Sequence, residues 1–290
     1  MAARPRTLPA AVAPVLVGTS LAIHYGTFHP LAFAAALLGA MLIQIGTNLS
    51  NDYSDARRGA DTDERIGPVR VTAGGLVPPR QVLVATYLTF AAAVLCGVYL
   101  IAVAGWALLA VGGASILAGV LYTGGPRPYG YEGLGEIFVF LFFGIVAVAG
   151  SYFVQVQDLP WQAFVCAVPV GLLASAILVV NNVRDLETDR RAGKRTLAVR
   201  LGRERTRMLY TAMIAGAFVA APLPWAFGSM TAWLFLSWGA IPLAVGVVRV
   251  VRQRTDGPSL NGALAKTGAT QLIFCLLYSA GILASGGIGS

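Results

Sequence analysis

Three oxygen-bearing side chains, Asn181, Asp185 and Asp189, follow one another at intervals of four residues. On an α-helix such residues share one face, about one turn apart. No histidine or cysteine lies close by, so the set offers only hard oxygen ligands, which suit Mg²⁺ together with the phosphates of a substrate. A single segment of this kind, "NNVRDLETDRR" (181–191), is also typical of a solvated helix end. A second group is therefore needed before a site is predicted.

The segment "NLSNDYSD" (48–55) supplies that second group. Asn48 and Asp52 are four residues apart, and Asn51 and Asp55 form an adjoining pair. Two carboxylate clusters that face each other can hold Mg²⁺ against a diphosphate, and nearby arginines and lysines can neutralise its outer oxygens. We therefore predict catalytic aspartates and metal ligands in both segments. The predicted catalytic residues are Asp52, Asp55, Asp185 and Asp189. The predicted metal ligands are Asn48, Asp52, Asp55, Asn181, Asp185 and Asp189.

Both segments continue apolar runs of membrane-spanning length. Hydrophobic residues make up 57% of the 290 residues and charged residues only 12%, whereas soluble proteins carry roughly 25% charged residues. Stretches of about 20 apolar residues, long enough to cross a bilayer, recur along the chain. The predicted fold class is therefore all-α, a polytopic membrane protein. The predicted spans lie near residues 8–26, 31–50, 81–103, 105–122, 135–156, 161–182, 207–226, 229–250 and 267–287.

The distribution of basic residues predicts the orientation of these spans. With nine spans and a cytoplasmic N-terminus, all 21 lysines and arginines fall in segments on the cytoplasmic side. Loops on the opposite side contain none, and they carry one acid, Asp158. This pattern follows the positive-inside rule and predicts a multi-pass protein of the cell (inner) membrane with a cytoplasmic active site. Basic loops facing anionic lipid explain the net charge of +8 without a nucleic-acid partner.

The two acidic segments also resemble each other beyond their aspartates. "DARRG" (55–59) is similar to "DRRAG" (189–193), and each follows an even-numbered span. We predict a single domain over residues 1–290, with an internal duplication of a four-helix unit and motifs at 48–63 and 181–195. A helical bundle would bring two such segments to one face of the membrane.

Four stretches carry a resemblance to a known family: "RPRTLPAAVAPVLVG" (4–18), "NLSNDYSDARRGADTDERIGP" (48–68), "YTGGPRPYGYEGLGE" (122–136) and "NNVRDLETDRRAGKRTLAVRLG" (181–202). With these, nearly the whole chain resembles the UbiA-type intramembrane aromatic prenyltransferases. Within that family it is most similar to the branch that prenylates 1,4-dihydroxy-2-naphthoate in menaquinone synthesis. The second acidic motif is common to the family. The first motif and "PYGYEGLG" indicate the naphthoate branch.

The resemblance implies a nine-helix bundle around a central cavity, capped by cytoplasmic loops after helices 2 and 6. It implies that the two aspartate motifs hold Mg²⁺ and the diphosphate of a polyprenyl donor. Ionisation of the donor would give an allylic cation, which the electron-rich ring of the aromatic acid attacks. Loss of diphosphate and CO₂ would then give demethylmenaquinone.

Basic and aromatic residues around the motifs complete the candidate site. The resemblance implies that Lys194 and Arg195 lie near the diphosphate, and Arg127 and the nearby cation Arg65 are also predicted to bind it. Many relatives have an aspartate where this chain has Gly59, so Asp61 or Asp63 is expected to complete the first motif. Arg127 stands near, but not in register with, a lysine of some relatives. The further candidates are Asn51, Asp61, Asp63, Tyr122, Tyr129 and Tyr131.

Other functions remain open from the residues alone. The acceptor could be another phenolic ring, such as 4-hydroxybenzoate or homogentisate. A lipid diphosphatase could use the same metal site with water as nucleophile. A membrane transporter would need charge near the bilayer midplane and inverted repeats, whereas the spans here carry almost no charge and the repeat is parallel. The sequence does not predict the donor's chain length or the oligomeric state.

Overall fold

The computed structural model describes residues 4–60, 66–67 and 70–286, and within these ranges the chain is helical, without strands. The longer helices are α1 (Pro9–His24), α2 (Pro30–Arg57), α3 (Pro79–Ala104), α4 (Ala107–Leu121), α5 (Gly135–Val156), α6 (Trp161–Arg191), α7 (Arg203–Ala220), α8 (Ala232–Gln253) and α9 (Gly257–Gly286). Shorter helical turns lie at Pro5–Thr7, Tyr129–Glu132, Leu197–Leu201 and Leu223–Ala226. Proline begins α1, α2 and α3, where its missing N–H has no helical partner to lose.

Six of these helices are long and apolar enough to cross a membrane, namely α2, α3, α5, α6, α8 and α9. The prediction of an all-α, multi-pass membrane protein is confirmed in this form. Helices α1 and α4 are apolar but shorter, and the remaining predicted span corresponds to α7. The count of nine spans therefore stays a prediction.

Helix α6 is the centre of the packed half of the molecule. It contacts α1, α5, α7 and α9, and most of its apolar length is buried. Large buried side chains from these helices, including Leu21, Leu173, Tyr210 and Phe274, form one continuous apolar core. The second acidic motif thus lies at the end of the most buried of the helices long enough to cross a membrane.

Two glycines allow α5 to approach α6 closely. A Cβ atom on Gly144 would lie 2.6 Å from the Cα of Gly171, so any larger side chain would push the helices apart. Helix α5 is a π-helix over Phe140–Val146, around this crossing. The wider turn is a local departure of the kind often found near functional sites.

The other half of the molecule consists of α2, α3 and α4, which pack on one another, with α2 also touching α1 and α5. These three helices do not fill the space beside α5 and α6. A cavity of about 510 Å³ lies between them, lined by residues from α1 to α6. The core therefore sits on one side of the cavity and a thinner wall of helices on the other.

The helices that carry the two motifs end in the same way. Gly59 follows α2 with φ 65°, and Gly193 follows α6 with φ 73°. The N–H after each glycine donates to the carbonyl of the residue five positions earlier, at 3.0 Å to Asp55 and 2.9 Å to Asp189. This is the Schellman helix end, which requires a left-handed residue and favours glycine. The likeness of "DARRG" and "DRRAG" therefore corresponds to a shared helix stop.

Candidate active site

The cavity between the two halves of the bundle collects most of the predicted site residues at one end. The predicted residues that line it are Asn48, Asn51, Asp55, Tyr122, Tyr129, Tyr131, Asn181, Asp185, Asp189 and Lys194. The rest of its wall, from α3, α4 and α5, is mainly apolar. The arrangement combines a polar end rich in carboxylate and amide groups with a space suited to a hydrocarbon chain.

Lys194 joins the two acidic segments at this polar end. Its Nζ lies 3.8 Å from Oδ2 of Asp55 and 3.9 Å from Oδ1 of Asp189. The ammonium also lies 4.8 Å from the ring centroid of Tyr131, within the range of a cation–π interaction. Both aspartates stand near the C-terminal end of a helix, where the backbone dipole disfavours negative charge. The Lys194 ammonium between the two carboxylates offsets this dipole effect and the repulsion between the two negative charges.

Asp55 is held by neutral and cationic donors. The Tyr131 hydroxyl donates to its Oδ1 at 2.6 Å, and the Arg70 guanidinium donates to its Oδ2 at 3.0 Å. Asp55 is buried, and so is Arg70. Sequence reasoning missed Arg70, because its only signal was a basic residue in the loop after the first motif. The structure adds it to the lining of the cavity.

Asp52 has a different environment from the other predicted metal ligands. Its carboxylate accepts the backbone N–H groups of Val71 and Thr72, at 3.2 and 2.9 Å. It is buried and does not line the cavity. These bonds fasten the loop after the first motif to α2. Its role as a metal ligand stays a prediction.

Asp185 is paired with an arginine that sequence reasoning also missed. The Arg184 guanidinium donates to both of its carboxylate oxygens, at 2.7 and 2.6 Å, and to Oδ1 of Asn181 at 2.8 Å. It also donates to Asn261 of α9 at 2.7 Å, and Asn261 donates to the carbonyl of Ile66 at 3.3 Å. The network connects the second motif to α9 and to the loop that follows the first motif. Its one signal in the sequence was a basic residue inside "NNVRD".

The two asparagines of the first motif are engaged by hydroxyl groups. Asn48 donates to the Thr7 hydroxyl at 3.2 Å, which links α2 to the turn before α1. The Thr123 hydroxyl donates to Oδ1 of Asn51 at 2.9 Å. Both asparagines are buried, and both line the cavity.

Tyr122 and Tyr129 supply an aromatic surface next to the polar end. Burial raises the pKa of the Tyr129 phenol above its ordinary value, so this phenol stays neutral at physiological pH. The Tyr129 hydroxyl donates to the carbonyl of Ala118 at 2.8 Å. Its ring stacks on Phe138 with centroids 4.0 Å apart and meets Tyr122 edge-on at 5.4 Å. Such faces can stabilise a positive charge nearby.

The remaining predicted residues are not brought into the cavity lining. The side chains of Arg127 and Arg195 are exposed and lie outside it. The Arg195 backbone N–H donates to the carbonyl of Tyr131 at 2.9 Å, so its main chain supports the site. Asp61, Asp63 and Arg65 lie outside the described residues.

Glu136 and Glu132 of "YEGLGE" have separate environments. Glu136 is buried behind the cavity wall and accepts a hydrogen bond from Asn182 at 2.9 Å. Glu132 lies at the surface, 3.3 Å from Arg200. Over the described ranges, no group of three or more His, Cys, Asp or Glu side chains is arranged to hold a metal ion. A metal at this site would therefore depend on amide oxygens, water and substrate as well as on the carboxylates.

The sequence profile of the UbiA prenyltransferase family matches residues 11–284. This chain belongs to the UbiA prenyltransferase family. The 1,4-dihydroxy-2-naphthoate octaprenyltransferase of Mycobacterium tuberculosis is 44% identical over 98% of this chain and 96% of its own length. The enzyme of the same name from Escherichia coli is 41% identical over 97% and 94%. The predictions of this family and of a polyprenyltransferase are confirmed.

The fold agrees with that of solved UbiA structures. A UbiA homolog from Archaeoglobus fulgidus, solved with DMAPP and Mg²⁺, superposes with a TM-score of 0.66, covering 96% of this chain and 98% of the other. Its sequence is 16% identical, so the likeness establishes the UbiA fold and no more. Two very different sequences therefore share this arrangement of helices.

Proposed function

We propose that this UbiA enzyme transfers a polyprenyl group from a polyprenyl diphosphate to 1,4-dihydroxy-2-naphthoate, releasing diphosphate and CO₂ to give the reduced, quinol form of demethylmenaquinone. The observation that carries the proposal is the meeting of Asp55 and Asp189 at Lys194, at the polar end of an apolar cavity. The names of relatives more than 40% identical over nearly the whole chain support the naphthoate acceptor.

The donor atoms at the polar end suit Mg²⁺. They are carboxylate and amide oxygens, without a histidine or cysteine among the cavity-lining residues near them, and hard oxygen ligands are those that Mg²⁺ prefers. The residues that would hold the ion are Asn48, Asp55, Asn181, Asp185 and Asp189, with Asp52 as a further candidate. When bound, Mg²⁺ supplies positive charge that stabilises a departing diphosphate.

The chain's own cations would complete the binding of the diphosphate. Lys194 and Arg70 both line the cavity, and each lies within 4 Å of Asp55. Because charge-assisted hydrogen bonds to phosphate oxygens are strong, these two side chains are better placed for this role than the exposed Arg127 and Arg195. Arg65 keeps its predicted role.

The apolar part of the cavity would receive the polyprenyl chain and exclude water from the ionised donor. When the C–O bond breaks, its electron pair leaves with the diphosphate. The faces of Tyr129 and Phe138 would stabilise the allylic cation until the ring attacks it. The ring carbon that bears the carboxylate would form the new bond. Loss of CO₂ would then return the electron pair of the C–C bond to the ring and restore its aromaticity.

We place the enzyme in the cell membrane with nine spans, and with the polar end of the cavity on the cytoplasmic side. The concentration of all lysines and arginines in the segments at that side supports this orientation. The donor and the quinol product are both lipid-soluble, so the cavity would exchange them with the bilayer.

The test is an assay of purified protein with Mg²⁺, a labelled polyprenyl diphosphate and a panel of aromatic acids. We expect prenylated naphthoate with release of CO₂, no turnover in EDTA, and recovery when Mg²⁺ is returned. Prenylation of 4-hydroxybenzoate or homogentisate, but not of the naphthoate, would show that the acceptor is a different aromatic acid. Release of labelled free prenol with every acid would show that the protein is a lipid diphosphatase instead.

A further inference from the structure

A second concave surface lies on the outside of the bundle, between α7 and α8. This groove has a volume of about 840 Å³ and shares no lining residue with the cavity. Its floor includes the buried side chains of Ile214, Phe218 and Ala244, and its rim includes the exposed side chains of Val219 and Val245. The α7–α8 groove is therefore apolar along most of its length.

One end of the α7–α8 groove is positively charged. Arg249 and Arg252 stand one turn apart on α8 and line the groove together with Gln253. Both arginines are exposed, and within the described part of the chain neither makes a hydrogen bond or ion pair. No acidic side chain lines the groove. The local charge is therefore free to bind an anion.

The arginine end lies at the same end of the bundle as the second acidic motif. Arg203, at the start of α7, donates to the carbonyl of Val183 at 3.1 Å. Arg207, one turn later, donates to the carbonyl of Arg254 at 2.5 Å, just after α8 ends. These bonds bring the start of α7 and the end of α8 together beside the motif. The groove thus begins at the predicted cytoplasmic boundary and runs into the membrane.

The length of the α7–α8 groove matches one leaflet of a bilayer. Its wall on α8 runs over Ile241–Gln253, which at 1.5 Å per residue is roughly 20 Å. Half of a bilayer, with its headgroup region included, is about 20 Å thick. Trp238 closes the far end, where its indole N–H donates to the carbonyl of Phe218 at 3.1 Å. The groove is long enough for an acyl chain and stops within the membrane.

We propose that the α7–α8 groove binds an anionic glycerophospholipid, with its headgroup phosphate at Arg249 and Arg252 and one acyl chain along the apolar floor. Two arginines one turn apart can donate several charge-assisted hydrogen bonds to a phosphate. Basic pockets between membrane helices on the cytoplasmic side bind anionic headgroups in this way. A zwitterionic lipid has no net charge to match the pair.

The experiment measures the thermal stability of the full-length protein in dodecyl maltoside micelles during titration with dioleoyl phosphatidylglycerol. A ligand that binds the folded state raises the Tm, so we expect a saturating rise. Dioleoyl phosphatidylcholine, glycerophosphoglycerol and inorganic phosphate are expected to give no comparable rise. In the double variant Arg249→Gln/Arg252→Gln, the phosphatidylglycerol concentration for half of the rise should increase about tenfold or more.

The matched control is Arg205→Gln/Arg254→Gln, which removes two exposed arginines at the same end of the bundle, outside the groove. It should keep the wild-type response. Ala215→Phe fills the groove while both groove arginines remain, and it should also weaken the response; it serves as the readout if the first double variant does not fold. An equal rise with phosphatidylcholine or inorganic phosphate would overturn the proposal. So would an unchanged response in the groove variants, or a loss as large in the control.

Discussion

At the scale of single residues, the position of Lys194 lets one cation both neutralise the two carboxylates and bind the diphosphate. Its ammonium lies between Asp55 and Asp189, where two carboxylates would otherwise repel each other at two helix ends. A bound Mg²⁺ would supply positive charge at the same carboxylates. Lys194 would then be available to the diphosphate, since its flexible side chain can turn from one anion to the next.

The first prediction concerns the paired carboxylates. Replacing Asp55 or Asp189 by asparagine should reduce kcat/KM about 100-fold or more, as removal of one electrostatic contact to a transition state does elsewhere. The measurement is prenyl transfer by purified variants whose membrane insertion equals that of the wild type. Glu187→Gln is the matched control, because Glu187 is an exposed acid on α6, the helix that carries Asp189. Wild-type rates in both aspartate variants would remove them from the site.

The second prediction separates two neighbouring cations. Lys194→Gln should raise the KM for the polyprenyl diphosphate about tenfold or more, because a charge-assisted contact to phosphate is lost. Arg195→Gln should change it little, since that side chain is exposed outside the cavity. Steady-state kinetics at saturating acceptor measures both. The reverse order of effects would show that the loop rearranges when the donor binds.

Residue types and spacing predicted that the two acidic segments meet, but not most of the side chains that hold them in place. Asp55 and Asp189 follow from helical periodicity, which places them one turn from their asparagine or aspartate neighbours. Arg70 and Arg184 were not found, because their contacts depend on loop and helix packing that no local pattern encodes. Asp52 shares the helical spacing of a ligand, yet its carboxylate binds backbone N–H groups of the following loop.

At the scale of elements, the two glycine helix stops determine where the chain turns back after each acidic motif. Gly59 and Gly193 end α2 and α6 one turn after Asp55 and Asp189. The chain reverses there, and at the second stop the reversal places Lys194 back over the carboxylates. The likeness of the two stops is consistent with the predicted duplication, which stays a prediction.

The third prediction concerns the second helix stop. Gly193 has φ 73° and no atom within 4 Å of an added Cβ, so the effect of a substitution comes from the backbone alone. Gly193→Val should lower the free energy of unfolding by about 1–2 kcal/mol. It should also lower kcat/KM, because it displaces Lys194. Gly193→Asn should remain close to wild type, because asparagine tolerates left-handed backbone. Thermal unfolding and prenyl transfer measure the pair; equal behaviour of the two variants would contradict this explanation.

At the scale of the whole molecule, composition and charge predicted the helical membrane architecture. Long apolar helices were expected and six were found by length and apolarity. The π-helical turn of α5 and the Gly144–Gly171 contact were not expected, because they depend on how two helices cross. The division into a packed half and a cavity wall also depends on tertiary contacts, since the apolar composition of a span does not show which helices it packs against.

The fourth prediction tests the orientation. With Cys96 replaced by serine, Cys166 and Cys275 remain and are buried, so they should not react. Arg127→Cys should be labelled by a membrane-impermeant maleimide only in inside-out vesicles, and Asp158→Cys only in intact spheroplasts. Both positions are exposed, so accessibility reports the side of the membrane. Labelling of both from one side would overturn the assigned topology.

The convergence of two helix C-termini on one group of cations also affects how a catalytic cycle ends. Both substrates of the proposed reaction arrive as anions, and the cationic side chains around Asp55 and Asp189 can retain each of them. The prenylated ring has lost its carboxylate and is neutral, so the cations at the polar end no longer attract it and it partitions into the surrounding lipid. Diphosphate keeps its full charge. We therefore expect product inhibition by diphosphate, in competition with the donor, and little inhibition by the quinol.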